Sequence, residues 1–229
     1  MATVWPFVGA AVLGVATVPP LYQAAVDADR REFYGVLAGI TGIAAVAYVV
    51  IGLGFGEVTT QGRTWEFVRY LDWLVTTPLI VLYLAMLAQP ERQTYYRLVA
   101  ADVVMLAGGV AANVVPGTIR YAGFVVGALA FTYLVYVLYV RLGVETSVES
   151  MERRALFEKL RNLTVVLWAM YPVVWLLSAK GFGLMIGGTE TVVVVYLDVL
   201  TKAAFVLIAV NGSEAIDTAA TSVEETFAD

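Results

Sequence analysis

The 229-residue chain contains neither cysteine nor histidine. Without cysteine there is no disulfide, no thiol nucleophile and no thiolate metal site, and the redox compartment stays undetermined. Without histidine the commonest metal ligand and the usual general base near neutral pH are missing as well. Charge is scarce, since Asp, Glu, Lys and Arg make up 14% of residues, whereas an ordinary soluble domain carries about a quarter. No basic residue precedes Arg30. The opening segment therefore lacks the positive flank of a signal peptide and is expected to stay as a helix. No period of 20–50 residues repeats, so a solenoid is excluded.

What is abundant is apolar surface. Hydrophobic residues make up 60% of the chain and the mean hydropathy is +0.80. A helix needs about 20 apolar residues to cross a hydrocarbon layer ~30 Å thick. Seven runs meet or approach that length: 2–26, 33–56, 73–89 (complete once carried back to Arg69), 98–119, 121–140, 162–178 and 191–212. The expected fold is all-α, a seven-transmembrane-helix bundle with short loops. It gives one membrane domain over 1–212, followed by an acidic cytoplasmic tail over 213–229 with Glu214, Asp217, Glu224, Glu225 and Asp229. Membrane lipids are the expected surroundings, and no nucleic-acid partner is expected.

Orientation follows from the distribution of Lys and Arg. The turns after the odd-numbered helices hold Arg30, Arg31, Arg92, Arg97, Arg141, Arg153, Arg154, Lys159 and Arg161, against Arg63, Arg69, Arg120 and Lys180 on the opposite side. This predicts a multi-pass cell-membrane protein with its N-terminus extracellular and its C-terminus cytoplasmic. The loop over 56–65 is long enough for a small extracellular hairpin between helices two and three. Pro116-Gly117 marks a tight turn. The connection over 141–159 is the longest and most charged, and it is the expected contact for a partner on the soluble side.

The last run carries two charges, Asp198 and Lys202, four residues apart and so on one helical face. An ammonium at that depth costs roughly 2.5–3.5 kcal/mol even on the lenient insertion scale. It is either an ion pair that joins helices or an amine that is used covalently, as Schiff-base lysines are. On helix three Arg69, Asp72, Trp73 and Thr76 share a face that mixes a cation, an anion, an indole and a hydroxyl, and such a face points into the bundle. Asp72 is the natural second anion for Lys202, and the quartet Asp72, Asp198, Arg69 and Lys202 neutralises itself. Helix six sets Trp168, Tyr171, Pro172 and Trp175 on one face. Pro172 should kink that helix, which points to a slot for a long, flat, apolar ligand. Phe124, Gly127, Ala128 and Phe131 on helix five, and Asp102, Met105 and Gly108 on helix four, are explained by packing or by the same slot.

Arg69-Tyr70-Leu71-Asp72-Trp73, then Thr76-Thr77-Pro78, Trp168-x-x-Tyr171-Pro172-x-x-Trp175 and Asp198-x-x-x-Lys202 together resemble the microbial (haloarchaeal) rhodopsins. Within that family the chain most resembles the sensory rhodopsin II branch of blue-light phototaxis receptors, through the run from Arg161 to Trp168. The resemblance covers all seven helices. It implies all-trans retinal linked to Lys202 as a protonated Schiff base, with Asp72 as primary counterion and proton acceptor. Asp198 would be the second counterion and Arg69 would balance the pair. Trp73, Thr77, Met105, Gly108, Phe124, Trp168, Tyr171, Pro172 and Trp175 would wall the polyene, with Tyr70, Thr76, Gly127, Ala128 and Phe131 around it. Thr201 and Tyr171 match residues that sensory members pair by a hydrogen bond. The resemblance also implies a photoreceptor rather than an enzyme, and a two-helix membrane transducer on helices six and seven with Tyr196 as a candidate contact. Homo-oligomerisation is left open.

A proton pump of this family needs a carboxylic acid on the cytoplasmic side. It would lie on the Asp72 face about three turns further in, where this chain has Tyr83, roughly 16 Å along the helix. A phenol with a pKa near 10 is a poor fast donor. On the outer side Glu190 could join a release path, but Lys180 stands where pumps have a partner carboxylate. Slow reprotonation and a long-lived signalling state suit a receptor. The alternatives are a light-driven outward proton pump and a colourless seven-helix transporter using Asp72, Asp198 and Lys202; Asp72 itself disfavours chloride pumping.

Overall fold

The computed structural model describes residues 4–60, 62–142, 151–186 and 188–213. The expected acidic tail beyond Ser213 and residues 143–150 of the long connection lie outside the described residues. Seven helices are long and apolar enough to cross a membrane: α1 (Trp5–Val26), α2 (Arg31–Gly52), α3 (Phe67–Ala88), α4 (Arg92–Val114), α5 (Gly117–Arg141), α6 (Met151–Leu177) and α7 (Thr189–Asn211). Between α2 and α3 stands the anticipated hairpin, β1 (Glu57–Thr60) and β2 (Arg63–Glu66). It is antiparallel, with Glu57 opposite Glu66 and Val58 opposite Trp65. Gly62 at its turn has φ +73°, a conformation that glycine adopts without a Cβ penalty.

Several helix ends differ from the hydropathy reading, among them α4, which ends at Val114 rather than 119, and α5, which begins at Gly117 rather than 121. α2 stops at Gly52 rather than 56, α4 begins at Arg92 rather than 98, and α6 begins at Met151, well before 162. Hydropathy marks only the part of a helix that lies in hydrocarbon. The first turns of α6 are amphipathic instead, burying Arg153, Leu156, Phe157 and Leu160 and exposing Glu152, Arg154 and Lys159. Their Arg153 donates through Nε to the carbonyl of Leu87 (2.9 Å) and through Nη2 to that of Met86 (2.6 Å). It thereby caps the C-terminal carbonyls of α3.

Two local irregularities shape the bundle. α6 is interrupted at Ala169, because Pro172 cannot donate to Trp168 and its ring crowds that carbonyl. α3 crosses Pro78 unbroken, and beside it the Thr76 and Thr77 hydroxyls donate to the carbonyls of Asp72 (2.9 Å) and Trp73 (2.8 Å). α5 and α7 each contain a π-turn, at Val137–Arg141 and Leu200–Ala204. Such single wide turns recur at functional sites.

Neighbouring helices are joined in different ways. α4 and α5 approach backbone to backbone, since a Cβ on Gly108 would fall 2.6 Å from the amide nitrogen of Gly127 and 2.8 Å from the carbonyl oxygen of Gly123. α5 meets α6 through side chains: Phe124 stacks on Trp175 at 4.9 Å, Tyr139 donates to Asn162, and Arg161 lies over the Tyr139 ring. Away from the hairpin the interior is sealed by an apolar plug that includes Leu37, Tyr83, Leu84, Leu87, Leu98, Leu142, Phe157 and Phe205.

Gly108→Ala should force α4 and α5 apart and cost about 1–3 kcal/mol as overpacking does, read as a lower thermal midpoint in detergent. Gly14→Ala, with nothing within 4 Å of the new methyl, should be neutral or slightly stabilising in the same assay.

Candidate functional site

Lys202, inside the π-turn of α7, is 1% exposed, and its Nζ forms an ion pair with Oδ2 of Asp72 on α3. Asp198, one turn before it, is fully buried and takes hydrogen bonds on both oxygens. Oδ2 accepts from the Tyr48 hydroxyl (2.6 Å) and from Nη1 of Arg69 (3.2 Å). Oδ1 accepts from Nε1 of Trp73 (3.2 Å) and from the Tyr171 hydroxyl. Thr201 Oγ1 lies 3.4 Å from the Tyr171 hydroxyl. Four helices therefore converge on one carboxylate, and Asp72 takes the ammonium. Oδ1 of Asp72 is buried and has no hydrogen-bond partner among the described residues.

The Arg69 guanidinium is shared between two anions. Nη1 also donates to the Tyr48 hydroxyl (2.6 Å), while Nε and Nη2 both donate to Oε2 of Glu66, the former at 2.7 Å. Lys180 pairs with Glu190 at the same end of the bundle.

A cavity of about 360 Å³ runs from the hairpin, past Lys202, into the space between α3, α4, α5 and α6. Its polar limb is edged by Glu57, Glu66, Arg69, Tyr70, Lys180 and Glu190. Its apolar limb is walled by Trp73, Thr77, Met105, Phe124, Gly127, Ala128, Phe131, Trp168, Tyr171, Pro172 and Trp175, and Thr201 and Lys202 line the same cavity. An apolar, aromatic-lined cavity that holds an amine fits a polyene aldehyde, the chemistry of retinal. Sequence reasoning had picked out all of these apolar-limb residues. Two residues expected around the polyene do not line the cavity. Gly108 is the α4–α5 contact, and its neighbour Gly109 lines the wall. The Thr76 hydroxyl donates to the Asp72 carbonyl. Asp72, expected as the partner of Lys202, is paired with it.

Besides cavity-lining residues such as Ile80, Leu106 and Gly109, sequence reasoning does not single out Tyr48 or Glu66. Tyr48 is a phenol in the middle of an apolar helix, and such a hydroxyl needs a buried partner, a signal that could have marked it. Glu66 precedes Arg69 by three residues, the spacing of a helical ion pair. Asp102, completely buried on α4, accepts from Thr77 Oγ1 (2.8 Å) beside the apolar limb. Tyr83 is fully buried between the rings of Phe33 and Phe205 within the plug. Tyr196 is 62% exposed on the outside of α7.

The family model described as bacteriorhodopsin-like protein matches residues 1–216. The chain is 42% identical over 215 residues to sensory rhodopsin-2 of Haloarcula vallismortis, covering 93% of this chain and 91% of that protein. It is 46% identical over 214 residues to sensory rhodopsin-2 of Halobacterium salinarum, covering 93% and 90%. Among solved structures it is similar to a thermophilic rhodopsin from Rubrobacter xylanophilus, with a TM-score of 0.88, 34% identity, and coverage of 94% and 97%.

Removing one partner of a buried ion pair strands the other charge at a cost of about 3–5 kcal/mol, whereas replacing both is often neutral. In protein without added ligand, Asp72→Asn and Lys202→Met should each lower thermal stability by that order. The double variant should be more stable than either single one.

Proposed function

This chain belongs to the bacteriorhodopsin-like family, and from that premise we propose the workings of a membrane photoreceptor of the sensory rhodopsin type. Retinal is the chromophore of such proteins, and we assign it in the all-trans form to the apolar limb, linked to the nitrogen of Lys202. When bound it supplies a polyene that absorbs visible light and a positive charge at that nitrogen. The observation that carries the reading is the ion pair between Lys202 and Asp72, with Lys202 lining an aromatic-walled cavity.

The roles of this chain's residues follow from their surroundings. Asp72 Oδ2 holds the charge at the Lys202 nitrogen and, in the light, accepts its proton. Its other oxygen is not committed to any described donor. Asp198, with both oxygens engaged, serves as the fixed second anion, and Arg69 offsets it. Trp73, Trp168 and Trp175 orient the chain of double bonds and exclude water. Loss of the charge pair releases a tie between α3 and α7, and the break in α6 at Ala169 gives a helix that can swing.

A receptor needs its deprotonated state to last. Asp72, Asp102 and Asp198 are the buried carboxylates among the described residues, and none belongs to the apolar plug beyond Lys202. A proton returning from that side meets Tyr83 and aliphatic side chains. At the hairpin end Lys180 is salt-bridged to Glu190, which removes the release pair a pump would use. We place the hairpin end outside the cell and the plug end in the cytoplasm. The signal then passes to a two-helix membrane transducer on the outer faces of α6 and α7, where Tyr196 is exposed.

Adding all-trans retinal to the purified chain should give a coloured pigment, and Lys202→Ala should give none. Flash photolysis should show slow recovery that azide accelerates strongly. Fast recovery indifferent to azide, with steady photocurrent, would instead identify an outward proton pump.

A further inference from the structure

The hairpin end of the site contains a carboxylate for which the reading above has no use. Glu66 closes β2 and immediately precedes α3, yet its side chain makes no capping hydrogen bond to that helix. Its Oε2 instead accepts two hydrogen bonds from Arg69, through Nε and Nη2. The remaining nitrogen, Nη1, is committed to Tyr48 and Asp198. The guanidinium of Arg69, a residue 6% exposed, is thus held between an inner and an outer anion. Lys180, the other cation lining this end, is occupied by Glu190.

We propose that Glu66 is a positioning residue that holds Arg69 partway between Asp198 and the hairpin, and so sets how much of the negative charge near the Lys202 nitrogen is cancelled. The proposal rests on the photoreceptor reading of the site. The quartet of Asp72, Asp198, Arg69 and Lys202 is neutral by itself, and with Glu66 it carries a net charge of −1. Two anions competing for one planar, five-donor cation divide it by geometry. Glu66 is fixed in that contest by the hairpin, whose register pairs it with Glu57. If Glu66 loses its charge, the outer pull disappears and Arg69 moves fully onto Asp198. The counterions then hold positive charge at the nitrogen less firmly. Because excitation moves that charge along the polyene, a weaker counterion narrows the gap and shifts absorption to longer wavelength.

The test combines spectra of the retinal-loaded protein with NMR of the protein lacking retinal. Glu66→Gln, with Glu66→Ala as a second variant, should move the absorption band to longer wavelength. In an Arg69→Gln background the same change at Glu66 should move it no further. Without retinal, loss of one charge-assisted hydrogen bond should speed solvent exchange of the Arg69 Nε–H by about tenfold or more. An unmoved band, an equal shift in both backgrounds, or unchanged Nε–H exchange would overturn the proposal. If the wild-type chain takes up no retinal, the photoreceptor reading fails, and the exchange measurement alone decides whether Glu66 holds Arg69.

Discussion

A charged amine cannot sit alone in hydrocarbon, and the centre of this molecule is organised to meet that constraint. Lys202 is 1% exposed, and its Nζ lies against Asp72 from a different helix. A buried pair is only tolerable if the remaining polar atoms are also satisfied. That requirement recruits the second carboxylate, Asp198, and with it Tyr48, Arg69, Trp73 and Tyr171 from α2, α3 and α6. One charge thereby fixes the relative positions of four helices. The network is also uneven: Asp198 is saturated with donors and Asp72 is not, which separates a carboxylate that keeps its charge from one that can receive a proton.

The two ends of the bundle are built on opposite principles. The hairpin end is polar, with Glu66 of β2 paired to Arg69 and Lys180 paired to Glu190 along the cavity. The other end is apolar, closed by aliphatic side chains and by the rings of Tyr83, Phe157 and Phe205. Protons and ions therefore have polar partners on one side of Lys202 and few on the other. Under the proposed photoreceptor function, this asymmetry favours a lasting state after internal proton transfer over continuous transport.

Much of this was legible in the sequence because membrane depth makes every polar residue conspicuous. Asp72, Asp198, Lys202 and the Trp168–Trp175 stripe stand out against apolar runs, and helical spacing places them on inward faces. Tyr48 is less visible because a tyrosine passes as an ordinary hydrophobe in an apolar helix, and Glu66 because it lies between the apolar runs, at the end of a hairpin strand, where charge is expected. The π-turn at Leu200–Ala204 has no compositional mark, since its residues are those of any apolar helix. Gly108 was misplaced for a different reason. Spacing puts it on the same face as Met105, but only the three-dimensional approach of Gly123 and Gly127 shows that it is covered by backbone. The early start of α6 lay beyond hydropathy altogether, because amphipathic turns outside hydrocarbon follow burial against α3 and not average polarity.

The glycine contact between α4 and α5 contrasts with the side-chain contact between α5 and α6. Interlocked backbones have no rotamers to exchange, whereas stacked rings and a cation over a phenol can slide and re-form. The glycine seam thus locks α4 against α5, while α6 rides on side-chain contacts and is interrupted at Ala169. A displacement at the centre would therefore cost less along α6 than along the α4–α5 wall.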